Sequence, residues 1–464
     1  MSQDICDRVS VQIEAFRNAP QLVFFEALQA EQLVRLMQEE GVTFRDRVFN
    51  PAVTLAVFLS QVLSTDQSCR QAVARLNAFR SARGENPTSP DTGSYCKARA
   101  RLPETVLAKL VWQTGRALDA QAPASWLWHG RRVILVDGTT VSMPDTPANQ
   151  AEYPQMRSQL PGVGFPIARV VALLSLASGA ALDVAVGPYQ GKESGEPALL
   201  RRLFDTLRPG DIVLADRYFA SYFTMVLLQQ RGVDVVIRAH HLRKVDFRRG
   251  QRLGPYDHRV TWHKPQRPYW MDQETYDRLP DRMTMRELRN AVSDPTVRVD
   301  QVTLVTTLTD PVVYTKQALG GLYPQRWNVE LDLRSIKAVL QMDVLRGKTP
   351  AMVRKEIGAH LLGYNLIRTL MADAAKTRGI TPRSISFKGA LQTLAAYRDA
   401  LLLAKLEDLD RLVGDLRAAI ARHRVGDRPG RIEPRAVKRR PKPHHLLNKP
   451  RPEARNQYQQ NRLN

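Results

Sequence analysis

Acidic residues are in short supply in this chain of 464 residues. Asp and Glu number 46 against 68 Lys and Arg, giving a formal charge of +22 and a pI near 10.2. That deficit points away from cationic partners and toward a polyanion, with DNA or RNA as the first candidate; a ribosome-associated or merely basic protein is the plainer reading. Cysteine is scarcer still. Cys6, Cys69 and Cys96 stand far apart with no C-x-x-C pair, which excludes a zinc ribbon and a disulfide framework. They fit a reducing cytosol and are expected to be small, buried, apolar residues. Long hydrophobic runs are missing too: "TLAVFLSQVL" is short and contains Gln61, so no membrane span and no membrane partner are expected. "MSQDICDRVSVQIEAF" has no cationic head before an apolar run, so no signal peptide is expected and the protein should remain in the cytoplasm. No repeat recurs at solenoid periods.

What is present is ordinary globular material. Hydrophobic residues make up 43% of the chain, which separates it from disordered proteins, and its length predicts two to four domains with ample core. Residues 1–125 read as helical, with apolar residues at helical spacing in "EQLVRLMQEE", "PAVTLAVFLSQVL", "RQAVARLNAFRSA" and "ETVLAKLVWQTGRAL". Pro51 suits a first helical turn and Gly41 a helix end. "SYCKARARL", with Lys97, Arg99 and Arg101, is open to two readings, a solvated face or a phosphate-contacting one.

The pattern changes at residue 131. "RRVILVDGTTVSM" reads as a strand that turns at Gly138, and "IARVVALLSLASGAALDVAVGPY" as two strands around a Ser-Gly turn. "GEPALLRRLFDTL" and "SYFTMVLLQQRG" read as helices, while "GDIVLADRYF" and "VDVVIRA" read as buried strands. Together they predict a mixed sheet with helices packed on it. Residues 242–300 loosen into a basic, aromatic, proline-broken insertion, and "VRVDQVTLVTTLTD" returns the chain to the sheet. Helices follow, and after about residue 422 comes a Pro-rich basic tail that is expected to be extended or disordered when free. That tail is open to being either a solvated segment or an arm on a nucleic-acid backbone.

Two aspartates stand out because each follows a buried apolar run, Asp137 after "VILV" and Asp216 after "DIVLA". A carboxylate there must meet solvent or a cation. Singly, each has a plain explanation: Asp137-Gly138 as a turn, Asp216-Arg217 as a surface ion pair. A third acid lies in "YPQRWNVELDLRSIK". At about 100° per residue, Tyr323, Arg326 and Lys337 fall within roughly 40° of Glu330 on one helix face. A solvated face with an Arg–Glu pair is the plain reading of that stripe. Three carboxylates that converge with open positions suit two Mg2+ ions, which prefer oxygen ligands. Two metals about 4 Å apart activate an attacking oxygen and stabilise a leaving one in phosphoryl transfer.

With these residues in view, the chain resembles the bacterial insertion-sequence transposases of the DDE class, in the branch with a Y-x2-R-x3-E-x6-K signature. Tyr323, Arg326, Glu330 and Lys337 have that spacing, Asp137-Gly138-Thr139 matches the first aspartate's context, and Asp216-Arg217-Tyr218-Phe219 matches the second. The motifs span about residues 130–370. The resemblance implies an α/β fold: an RNase H-like mixed sheet of five strands with a β-rich insertion, an all-helical domain before it and a helical region with a basic tail after it. The expected divisions are 1–125 as a helical DNA-binding domain, 126–405 as the catalytic domain with its insertion at about 242–300, and 406–464 as C-terminal helix and tail.

It also implies cleavage at transposon ends and strand transfer into target DNA. Asp137, Asp216 and Glu330 would be the catalytic acids and the ligands of two Mg2+ ions, with Mn2+ able to substitute. Tyr323, Arg326 and Lys337 would contact DNA. The partners implied are the terminal inverted repeats and target DNA, with a homodimer in the DNA complex of a bacterial nucleoid. Some relatives hold a flipped base on a tryptophan of the insertion, which makes Trp262 and Trp270 candidates. Two other functions stay open: a metal-dependent nuclease of the same fold without strand transfer, and a non-catalytic DNA-binding derivative.

Overall fold

The computed structural model describes residues 30–41, 47–291, 301–426 and 445–463. Cys6 therefore lies outside the described residues, as do parts of the predicted insertion and tail. The N-terminal region is helical where described: α1 (Ala30–Glu39), α2 (Pro51–Val62), α3 (Cys69–Ala82), α4 (Gly93–Arg101) and α5 (Glu104–Ala120). Their ends follow local chemistry. Gly41 adopts φ 63° after α1. Asn50 caps α2 by accepting from the Val53 amide at 2.9 Å, with Pro51 in the first turn.

Next come β1 (Val133–Ser142), α6 (Pro147–Glu152), β2 (Ile167–Ser175), β3 (Ala181–Pro188), α7 (Glu196–Arg201), β4 (Ile212–Ala215), α8 (Tyr222–Gln230) and β5 (Asp234–Arg238). Then follow β6 (Gln251–Gly254), β7 (Asp257–His263), α9 (Gln273–Arg278), β8 (Arg282–Ala291) and β9 (Gln301–Thr306). All nine strands form one sheet in the order β3-β2-β1-β4-β5-β9-β8-β7-β6. β1, β4 and β5 are parallel, and every other pairing is antiparallel. The segment predicted as an insertion thus adds β6, β7 and β8 to the far edge of the same sheet, joined through β9, which pairs with both β5 and β8.

The sheet's two faces fill two cores. Leu135, Leu214 and Val236 pack with α2, α5 and the long helix Pro350–Lys376 in the main core. Val136, Ala215 and Ile237 point the other way and pack with α7 and α8. This alternation is the two-residue period of a strand buried on both faces. Helix α5 approaches β3 so closely that a Cβ on Gly115 would stand 2.2 Å from the Ala181 carbonyl oxygen.

Beyond the sheet run α10 (Lys316–Leu322), α11 (Asn328–Arg334), α12 (Pro350–Lys376), α13 (Phe387–Leu403), α14 (Leu406–Arg422) and α15 (Arg451–Leu463). Three readings need correction. β1 does not turn at Gly138; it continues to Ser142, because its ladder with β2 runs unbroken through Asp137↔Ala172 and Gly138↔Val171. The tail is not extended to its end, since residues 451–463 form a helix whose only proline, Pro452, sits in the first turn where it is tolerated. Cys69 and Cys96 are half-buried, and both thiols lie against the Arg99 guanidinium, at 3.1 and 3.8 Å. Arg99 is thereby withdrawn from the basic face of "SYCKARARL": it stacks over Tyr95 and Phe58 and donates to Gln61.

Candidate active site at the end of the parallel strands

Asp137 and Asp216 meet because of register. β1 and β4 pair in parallel with Val133↔Ile212 and Leu135↔Leu214, so Asp137 and Asp216 are the next opposed positions past the end of β4. β4 stops at Ala215 while β1 goes on beside β2, which leaves the two carboxyls at a step in the sheet edge. Each is held by a local bond: Asp137 Oδ1 accepts from the Gly138 amide at 2.8 Å and Asp216 Oδ1 from the Tyr218 amide at 2.7 Å. The second bond caps the 3-10 turn 217–219, whose Phe219 is fully buried.

Glu330 reaches this edge from the other side of the chain. The predicted single helix is broken into α10, a 3-10 turn over Tyr323–Trp327, α11, and a π-helical turn over Ser335–Val339. Pro324, which lacks an N–H to donate, falls within the 3-10 turn. The uniform rotation assumed from sequence therefore does not hold along 323–337. Arg326 still makes the expected pair, donating from Nη2 to Glu330 Oε1 at 3.2 Å, and its Nη1 stands 3.9 Å from Asp137 Oδ2. One guanidinium thus lies between the first and third acids.

Two residues beyond Glu330, Asp332 anchors the same short helix. Its carboxyl is fully buried, is bonded by Arg368, and accepts from Arg383 Nη2 at 2.9 Å. Arg368 also donates to Tyr364 on α12 at 2.8 Å, and Arg383 donates to the Ser175 carbonyl of β2 at 2.7 Å. α11 is in this way bolted to both the sheet and α12, which fixes where Glu330 can reach.

Burial pushes the Asp137 carboxyl up to about 6, and the neighbouring Glu196 and Asp216 carboxylates add to the rise, while the Gly138 amide and Arg326 oppose it. Glu196 is the acid that the sequence did not disclose. It opens α7, carries a carboxyl raised by burial and by Asp216 and eased by Arg169, and lies so close to β1 that a Cβ on Gly138 would stand 2.4 Å from its Cδ. In "GKESGEPALL" it reads only as a helix start. The available signal was Gly138 inside a strand, which marks a close approach by another group.

The remaining candidates are placed as follows. Tyr323 is half-buried against the main core, its phenol pushed up by burial and by Asp216, with Arg326 and Arg238 opposing. Lys337 lies half-buried on the π-helical turn, with no ion-pair partner among the described residues. Trp262 is 7% exposed, donates to Glu287 Oε1 at 2.9 Å and has the Arg243 guanidinium 3.7 Å over its ring. Trp270 is half-buried, edge-on to Phe223, with Arg201 3.7 Å over its ring. Each tryptophan thus has a face already covered by arginine.

Carboxylate oxygens are the donors that hard divalent cations take, and the mutual repulsion around Asp137 is what such a cation relieves. In kind, the donors fit a divalent ion at Asp137 and Asp216. Among the described residues, however, no three His, Cys, Asp or Glu side chains are grouped closely enough to hold an ion as they stand. Glu330 is paired with Arg326. Among the described residues, no helix is long and apolar enough to cross a membrane.

The family model described as Transposase DDE domain matches residues 128–366. The chain is similar to Transposase InsG for insertion sequence element IS4 of Escherichia coli (strain K12), with 26% identity over 426 residues, 89% of this chain and 91% of that one. It is also similar to Putative transposase InsZ of the same organism, 27% identical over 137 residues, 29% of this chain and 45% of that one. A cryo-EM structure of the piggyBac transposase synaptic complex with hairpin DNA shares 11% identity and a TM-score of 0.42, covering 86% of this chain and 85% of that one, a likeness too slight to argue from.

Proposed function

The chain belongs to the Transposase DDE domain family, and from that premise we propose that Asp137, Asp216 and Glu330 are its catalytic acids. The protein is a DNA transposase, an enzyme of metal-dependent DNA cleavage and strand transfer. The observation that carries the assignment of residues is the in-register pair Asp137–Asp216, with the Arg326 guanidinium set between Asp137 and Glu330.

The same three carboxylates would hold Mg2+, two ions in the working complex, with Mn2+ as a substitute; bound there, the cations supply Lewis acidity to the phosphodiester. The chain's own residues do the rest. Asp332, tied to Arg368 and Arg383, fixes α11 against the sheet, so Glu330 has a short, defined reach. Arg326 is the exchangeable partner. In the free protein it neutralises Asp137 and Glu330; on DNA its fork turns to a phosphate and frees Glu330 for the aspartates. Lys337 brings a second cation to the DNA, and the Tyr323 phenol donates to a phosphate oxygen. The nine-stranded sheet would contain an RNase H-like core in β3-β2-β1-β4-β5, extended by the inserted strands. The helical N-terminal region would bind the terminal inverted repeats. Because an element has two ends, the working form would be a homodimer on DNA in the cytoplasm, at the bacterial nucleoid.

The test is an assay on pre-cleaved transposon ends. Joined product is expected from the parent and none from Asp137→Ala, which should still bind the ends. Cleavage without joining by the parent would leave a nuclease, and unchanged joining by the variant would remove Asp137 from the site.

A further inference from the structure

Gln61 interrupts the apolar run of α2, and its amide is buried at 5% exposure. Its Oε1 accepts from the Tyr95 phenol at 2.7 Å and from Arg99 at 3.2 Å, while its Nε2 donates to the Gln67 carbonyl at 2.7 Å. That last bond fixes the loop 63–68 between α2 and α3. Gln67 is buried as well, and its own Nε2 donates to the Val62 carbonyl at 3.0 Å and to the Leu340 carbonyl at 2.8 Å. A second amide crosses in the opposite sense, from Gln341 Nε2 to the Thr65 carbonyl at 3.1 Å. Two side-chain bonds thus clamp the α2–α3 loop onto residues 340–341, far along the chain.

Those residues are where the π-helical turn over Ser335–Val339 ends. The Leu340 amide closes the turn on the Ser335 carbonyl at 3.0 Å. The Met342 and Asp343 amides then return to the Ile336 and Lys337 carbonyls at 3.3 and 3.4 Å. This reversal places Gln341 in the left-handed region, at φ 59°. A residue with a Cβ is strained there and stays only where its neighbours hold it. The π-turn is itself an uncommon winding, in competition with an ordinary α-helix of the same residues. The Leu340 carbonyl is among those that a helix end leaves over, and Gln67 supplies it with a donor. Lys337 lies inside this turn, so the winding decides where its ammonium points relative to Glu330 on α11.

We propose that Gln67 and Gln341 are positioning residues of the cleavage reaction: their clamp between the α2–α3 loop and residues 340–341 holds the π-helical turn in the winding that aims Lys337 at the DNA. This rests on the reading of Lys337 as a DNA contact. In this arrangement the N-terminal helices are part of the frame of the active site. The buried chain from Tyr95 and Arg99 through Gln61 to Gln67 ties α4 to the segment that carries Lys337.

The experiment is a double-mutant cycle with the full-length protein, measuring cleavage and binding of a duplex that carries the inverted repeat bordering its gene. Gln67→Met keeps the length of the side chain and removes its donors. Gln341→Ala removes the opposite bond at a half-buried position that the fold should tolerate, so the test stands even if Gln67→Met does not fold. Gln67→Met should slow cleavage about 5- to 150-fold, the value of about 1–3 kcal/mol for a buried group left unpaired, with a much smaller change in affinity. Gln341→Ala should slow it less. Neither should slow it further in a Lys337→Ala background, because the side chain they position is gone. Losses of the same size with and without Lys337 would overturn the proposal, and so would parental cleavage by both variants. Hydrogen exchange gives a reading that needs no catalysis: Gln67→Met should speed exchange of the Leu340 amide and leave α12 unchanged, and undiminished protection at Leu340 would overturn the clamp. A Lys337→Ala protein that cleaves like the parent would instead sink the reading of Lys337, and the positioning role would be rejected with it.

Discussion

Replacing Asp137 with asparagine should abolish cleavage and yet stabilise the metal-free protein. Asparagine keeps the shape and, through its own Oδ1, the bond from the Gly138 amide, but it removes a charge from beside Asp216 and Glu196. The side chain is only 21% exposed, so burial is the main penalty on its charge, and the repulsion adds to it with little screening by solvent. A carboxyl raised from the ordinary 3.8 to about 6 is harder to ionise in the folded state than in the unfolded one. The cost of ionising it is absent below about pH 4, grows as pH rises, and is complete above about pH 6. At 1.36 kcal/mol per pH unit it reaches at most about 3 kcal/mol. That figure already includes the attraction of Arg326 at 3.9 Å; part of the gain is offset because the asparagine amide NH2 must itself be buried beside Arg326. Asp137→Asn should therefore raise unfolding free energy by about 1–2 kcal/mol at pH 7.5 in EDTA and by almost nothing at pH 4. Denaturant titrations at the two pH values measure it. Millimolar Mg2+ should then stabilise the parent and leave the variant unmoved. A variant no more stable than the parent at pH 7.5, or a gain equal at both pH values, would refute the picture of a carboxyl penalised by burial and, to a lesser degree, by its acidic neighbours at this edge.

Asp332→Ala should destabilise the fold by about 3–5 kcal/mol, since it strands Arg368 and Arg383 without their carboxylate; a change below about 1 kcal/mol in denaturant unfolding would remove Asp332 as the anchor of α11. Arg326→Ala should reduce cleavage far more than bulk DNA affinity, and comparable losses in a filter-binding and a cleavage assay would assign it to general attraction. Trp262→Phe should lower the melting temperature by leaving Glu287 without its indole donor, at about 1–3 kcal/mol. An unchanged melt with a selective loss of end binding would restore Trp262 as a base-holding ring.

Much of this site was legible in the linear order of residues because the forces that write it are local. A buried parallel strand needs an uninterrupted apolar run, so a carboxylate immediately after one, as at Asp137 and Asp216, is conspicuous without any coordinates. The i, i+4 pairing of Arg326 with Glu330 is likewise a property of a few consecutive residues. Yet locality also misled: Asp-Gly spells a turn, and only pairing with β2 keeps Gly138 in the strand. Nor does a sequence show Arg243 lying over Trp262 and Glu287 bonding its indole.

What the residues alone determined is which groups the chain offers to its candidate site: three acids, an arginine, a lysine and a phenol at set spacings. Which of them would stand together was decided by strand order and register, quantities set by packing between segments far apart in the chain. β1 lies beside β4 and β4 beside β5 because two buried faces must be satisfied at once, and that choice alone puts Asp137 and Asp216 in one row and brings Glu196 against Gly138.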